Sequence, residues 1–155
     1  MKILTRLLAT FFYVGYVPVA PGTAATVAAL LLYIIVCQNF ALLVVTSLLV
    51  GLAGFLTAGR FERMVGQKDP QEVVIDEVFG FFVAFILVPV ASIDGVMLLV
   101  GFLVFRLLDI FKPFPVRRVE RLAGSWGIML DDVVCGFYTS GLLWIFLVLT
   151  HRGSF

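Results

Sequence analysis

Charge is scarce in this sequence. Of 155 residues, 14% are charged, the formal net charge is +1, and 62% of the residues are apolar. A soluble domain carries about 25% charged residues and about 45–50% apolar ones. Small domains bury the smaller share of their surface, so a single soluble globule of this length cannot hide so much apolar material. Sixteen Phe and long aliphatic runs equally exclude a disordered chain. Cysteine is also sparse. Cys37 and Cys135 form no CxxC pair, which excludes thiolate zinc sites and dithiol redox motifs. Neither has an Arg six positions on, which excludes a cysteine-phosphatase loop. The single histidine, His151, lies far from the acidic residues and gives no support to His-based phosphate chemistry. No Walker loop, dinucleotide fingerprint or internal repeat is present, and no nucleic-acid partner is expected. What remains is an integral membrane protein.

The 21 charges are sorted along the chain. Residues 24–37, 40–58, 78–93, 95–105 and 133–150 carry none, whereas 60–77 carry eight and 106–132 carry nine. A membrane-crossing helix needs about 20 apolar residues, with a range of about 17–25. Two runs meet that alone, and the shorter ones borrow flanking residues, Arg106–Phe111 in the case of 95–105. The pattern predicts an all-α membrane bundle of about five helices in a single domain spanning 1–155. With the N-terminus in the cytoplasm, ten of eleven Lys and Arg face inward, as orientation rules require. Nine of ten acids then share that face, leaving Asp94 and Arg152 outside. Residues 1–20 look superficially like a signal peptide, but Pro21 after Ala20 hinders cleavage there. An interfacial or re-entrant segment is the expectation.

Four stretches can carry chemistry. Asp76-Glu77 and Asp131-Asp132 are adjacent acid pairs, each expected where a charged segment becomes a membrane helix. One such pair is explained by capping of free helix N–H groups. Two pairs on one membrane face place four carboxylates together, which repel unless a cation neutralises them. Hard oxygen donors of this kind suit Mg²⁺. In the third stretch, Arg106 and Asp109 are three apart and share a helix face. They follow eleven apolar residues, and a charge at membrane depth costs about 2.5–3.5 kcal/mol. Intramembrane ionisable groups face bundle interiors and mark functional sites. Pro113 and Pro115 end that helix and hold Lys112 at its C-terminal end. The fourth is Val17 to Thr23, where Thr23 is the expected N-cap of the first membrane helix and the functional reading is an anion site at that helix start.

These stretches, in this order, resemble the phosphatidylglycerophosphatase A family. The resemblance rests on Pro21-Gly22-Thr23, Asp69-Pro70, Asp76-Glu77 with Gly80, Arg106-x-x-Asp109-x-x-Lys112-Pro113-x-Pro115, and Gly127 through Asp131-Asp132 with Gly136. It covers roughly Gly15 to Leu147. Where the family often carries Gly-Ser, this chain has Ala25-Thr26, and the Thr keeps the hydroxyl.

The resemblance implies a Mg²⁺-dependent lipid phosphatase of the bacterial inner membrane, multi-pass, with its N-terminus and active site on the cytoplasmic side. It would remove the terminal phosphate of phosphatidylglycerophosphate to give phosphatidylglycerol. On that reading Asp76, Glu77, Asp131 and Asp132 hold the metal, with Asp76, Asp131 and Asp132 thereby catalytic. Asp109 is a further ligand or the general base. Arg106, Lys112 and Thr23 bind phosphate. The residues leave open whether water or a carboxylate attacks phosphorus. A rival reading is a small ion-coupled transporter using intramembrane acids. Another is a scaffold that binds anionic lipid through Arg117, Arg118 and Arg121.

Overall fold

The computed structural model describes residues 2–150, and no strand occurs among them. His151 and Arg152 lie outside the described residues. The α-helices are α1 (Lys2–Ala9), α2 (Pro21–Val36), α3 (Phe40–Val65), α4 (Ile75–Ile86), α5 (Gly95–Phe111), α6 (Val116–Val119) and α7 (Ser125–Leu149), with short 3₁₀ turns at Val14–Tyr16 and Val90–Ser92.

The all-helical prediction holds, and two of the five expected crossings are supported by helix length and composition alone. Among the described residues, only α3, with 26 residues, and α7, with 25, are by themselves long and apolar enough to cross a bilayer. The reason is length. At about 1.5 Å per residue, the 12-residue α4 spans only about 18 Å, and the 16-residue α2 about 24 Å, against a hydrocarbon core of about 30 Å.

Local chemistry sets the helix ends. Asn39 caps α3 by accepting from the Leu42 N–H at 3.1 Å, and Gly66 closes it at φ 74°. That close comes later than the apolar run implies, because Arg60, Glu62 and Arg63 extend the helix into the charged segment and Arg63 Nε donates back to the Gly59 carbonyl at 3.1 Å. The isolated acid Asp94 caps α5, accepting from the Met97 N–H at 2.8 Å. The N-cap of α2 is Ala20 rather than Thr23. Pro21 takes the first helical position, where its fixed φ and missing N–H cost nothing, so Thr23 falls inside the first turn.

Helix α4 is the hub. Ile75, Val78, Phe81, Phe82, Val83, Ala84 and Phe85 are buried on nearly every side of it, packed by α2, α3, α5 and α7. Phe81, Phe82 and Phe85 surround the buried Tyr33 of α2 with ring centroids 5.1–6.4 Å apart. A helix apolar all round belongs inside a bundle. The outer faces of α2, α3, α5 and α7 instead expose Ile35, Leu48, Leu103 and Ile145. So large an apolar exterior fits lipid rather than water.

The N-terminal segment folds back on the bundle. After α1 the chain reverses through Phe11, Phe12 and Tyr13, all at positive φ. Thr10 steadies the reversal: its hydroxyl donates to the Arg6 carbonyl at 2.8 Å and accepts from the Tyr13 N–H at 3.1 Å. Val74 N–H then donates to the Ala9 carbonyl at 3.0 Å, which ties this segment to the loop that leads into α4.

Candidate active site

Backbones that touch bring the acids together. A Cβ on Gly80 of α4 would lie 2.6 Å from the Asp132 carbonyl oxygen of α7, and one on Gly136 would lie 2.5 Å from the Gly80 carbonyl oxygen. Small residues at both positions let the two helices cross at backbone contact, as membrane helix pairs do. That crossing sets Asp132 one turn from Asp76 and Glu77. Gly22 does the same for α2, since a Cβ there would collide with Glu77 Oε1 and sit 3.1 Å from an Arg106 guanidinium nitrogen. The Pro-Gly-Thr motif thus serves close approach.

The outcome is a cavity of about 530 Å³ at one end of the bundle. Its charged lining is Asp69, Asp76, Glu77, Asp109, Asp131 and Asp132 with Arg106 and Lys112. Asp76, Glu77 and Asp132 each offer a carboxylate oxygen, all within 4.8 Å of one another. Asp76 Oδ1, Glu77 Oε2 and Asp132 Oδ1 are buried and have no hydrogen-bond partner. A buried carboxylate oxygen without a partner is costly. Three such carboxylates converging, all hard oxygen donors, fit a divalent cation.

Asp131 points elsewhere. Its Oδ2 accepts from Lys112 Nζ at 2.8 Å, and its Oδ1 accepts from the Asp132 N–H at 3.0 Å. The expected set of four converging carboxylates is therefore a trio plus a lysine-bound neighbour. Nor does the Asp131-Asp132 pair open its helix, because α7 begins at Ser125, nearly two turns earlier. Ser125 accepts from the Gly59 N–H of α3 at 2.8 Å, which anchors that earlier start.

The cations are held by acids on both sides. Arg106 Nη1 lies 2.9 Å from Asp109 Oδ2, 4.0 Å from Glu77 Oε1 and 3.4 Å from Thr26 Oγ1. Its Nε is buried and unpartnered, a donor left over for an anion. Lys112 adopts a left-handed φ of 44° at the end of α5 and bridges Asp131 and Glu120, at 2.8 and 2.9 Å. Burial opposes its charge, but the hydrogen bonds and charges of Asp131 and Glu120 outweigh that, so its pKa is raised and the ammonium persists. Asp69 has its pKa raised by burial, with Lys112 offsetting part of the effect.

Thr23 does not line the cavity, whereas Ala20, Pro21 and Gly22 do. Thr26, to which sequence reasoning gave no role, is the hydroxyl that meets Arg106. Its own hydroxyl donates to the Gly22 carbonyl at 2.8 Å. The signal was present, since Thr26 keeps a hydroxyl where the family has Ser. Glu120, likewise unassigned, is the second partner of Lys112.

A helical protein with carboxylates converging beside a buried guanidinium and a bridged lysine has the chemistry of a phosphate-handling enzyme. The sequence profile of the phosphatidylglycerophosphatase A family matches residues 7–147, and the chain belongs to that family. It is a phosphatase. Phosphatidylglycerophosphatase A of Escherichia coli is 32% identical over 144 residues, covering 90% of this chain and 81% of the relative. The protein of the same name from Haemophilus influenzae is 33% identical, covering 86% and 82%. A Bacteroides thetaiotaomicron protein, provisionally named a phosphatidylinositol-3-phosphatase, is 37% identical, covering 88% and 89%. No solved structure gives a significant match. Nothing in these comparisons favours the transporter reading.

Proposed function

We propose that this phosphatase hydrolyses the terminal phosphate monoester of phosphatidylglycerophosphate to phosphatidylglycerol, using Mg²⁺. The observation that carries this is the trio of Asp76, Glu77 and Asp132, each with a buried, partnerless oxygen, beside Arg106 and Lys112. Relatedness to phosphatidylglycerophosphatase A over residues 7–147 supports this choice of lipid.

Asp76, Glu77 and Asp132 hold the metal. When bound, Mg²⁺ supplies positive charge against the phosphate and lets a water ionise more readily. The chain does the rest by positioning and neutralisation, which dominate phosphoryl transfer. Arg106, fixed by Asp109 and Thr26, turns its free Nε to a phosphate oxygen. Lys112 contributes a point charge, and Asp131 and Glu120 keep it in place. Asp109, oriented by its 2.9 Å ion pair with Arg106, takes the proton of the attacking nucleophile. Thr23 acts only through the helix start that it shares with Gly22.

The residues form one domain across 1–155 in a bacterial inner membrane, with α2, α4 and α5 completing a five-helix crossing beside α3 and α7. The short helices cross by joining to their flanking turns, and the cavity faces the cytoplasm, where ten of the eleven Lys and Arg gather. The test is phosphate release from phosphatidylglycerophosphate by purified protein, with Mg²⁺ and with chelator. Release that requires Mg²⁺ is expected. No release in either condition overturns the proposal.

A further inference from the structure

We propose that a second, basic cavity beside the carboxylates binds the phosphodiester of the headgroup, so that the enzyme selects lipids carrying two phosphates. This rests on the substrate reading above. The second cavity, about 510 Å³, shares Asp69, Ile110 and Lys112 with the acidic one. Beyond that common wall the lining changes sign. The acidic cavity sets six carboxylates against two cations. The second sets Lys68, Lys112, Arg117 and Arg121 against Asp69 and Glu120. Lys68 and Arg121 form no ion pair among the described residues, so their charge is not spent within the protein.

Both also line a third groove, about 820 Å³, that contains Phe55 and the exposed Trp126, whose rings lie 5.0 Å apart. Tryptophan favours the membrane–water interface, which sets Lys68 and Arg121 at headgroup depth. The three cavities therefore run in sequence: carboxylates, then cations, then an aromatic groove at the lipid surface.

That order matches the substrate. Its terminal monoester is joined through one glycerol to a phosphodiester, which is joined in turn to the diacylglycerol. The diester carries one negative charge at neutral pH. Six carboxylates disfavour it, whereas Lys and Arg bind it through charge-assisted hydrogen bonds. A lipid with a monoester alone fills only the acidic cavity.

The test uses the Lys68→Gln/Arg121→Gln double variant in uncharged detergent micelles. Neither residue belongs to the catalytic set. For phosphatidylglycerophosphate, KM should rise about tenfold with kcat within twofold. Titration with short-chain phosphatidylglycerol, which carries the diester and no monoester, should show affinity about tenfold weaker. The charge-preserving Lys68→Arg/Arg121→Lys variant should keep both values. Arg118→Gln, whose guanidinium stacks on Phe114 and which does not line this cavity, should change neither. Unchanged KM and affinity overturn the inference, as does an equal effect from Arg118→Gln, which would mean general surface attraction. Failure of the substrate reading shows separately, as wild-type protein that releases no phosphate. The binding titration still judges the basic cavity in that case.

Discussion

Gly80→Ala tests whether backbone contact between α4 and α7 assembles the site. The added Cβ would lie 2.6 Å from the Asp132 carbonyl oxygen and 2.9 Å from Asp132 Cβ, where ordinary contact begins at 3.4 Å. The obstacle is backbone, so no side chain can swing aside. The helices must part by about 0.8 Å at this level, the difference between those contacts. Overpacking of this kind costs about 1–3 kcal/mol. The larger effect is on chemistry. Asp76 and Glu77 sit one turn before Gly80, and Asp132 is the residue struck, so the shift opens the trio itself. A misplacement of about 1 Å costs about 10²-fold in rate. Phosphate release in micelles, measured across a Mg²⁺ titration, should fall by about that factor and need more Mg²⁺. Gly141→Ala is the control. It lies in α7 with nothing within 4 Å of its would-be Cβ, so it should leave activity intact and gain up to about 1 kcal/mol of helix propensity. A Gly80→Ala protein with full activity and an unshifted Mg²⁺ requirement would refute the crossing as the origin of the site.

Two further outcomes separate roles within the cavity. Asp76→Asn and Asp132→Asn should abolish release while membrane insertion persists, and should weaken Mg²⁺ binding measured directly by calorimetry. Asp131→Asn should also cut turnover, by releasing Lys112, but leave Mg²⁺ affinity within a few-fold. Equal loss of Mg²⁺ affinity in all three would restore Asp131 as a ligand. Asp69 tests the electrostatics. Burial raises its pKa above the unfolded value, so the folded state binds the extra proton and stability falls as pH rises through that window. Asp69→Asn should therefore raise the melting temperature at pH 7, with the gain shrinking as pH falls towards about 4, the ordinary Asp pKa. Asn also tolerates the φ of 47° at this position. A variant equally shifted at both pH values would show that backbone fit, not charge, is responsible.

Much of this protein was decided by residue order alone. Apolar runs broken by charged stretches pointed to helices, and the described residues are helical with no strand among them. The two acid pairs, Arg106, Asp109 and Lys112 were visible because charge is rare enough here for each one to require a reason. The family could be read in the same spacing. Sequence order could not say which acids converge. Asp131 and Asp132 are neighbours in the chain, yet helical geometry turns them about 100° apart. One reaches Lys112 on the C-terminal end of α5, and the other reaches the acids of α4. Nor could it give Thr26 its contact with Arg106, 80 positions away, or reveal that Gly80, Gly136 and Gly22 are where helices touch. Those facts belong to packing, because distances between helices are set by the smallest side chains at their crossings. The sequence supplied the charges, and the helix crossings determined which of them meet.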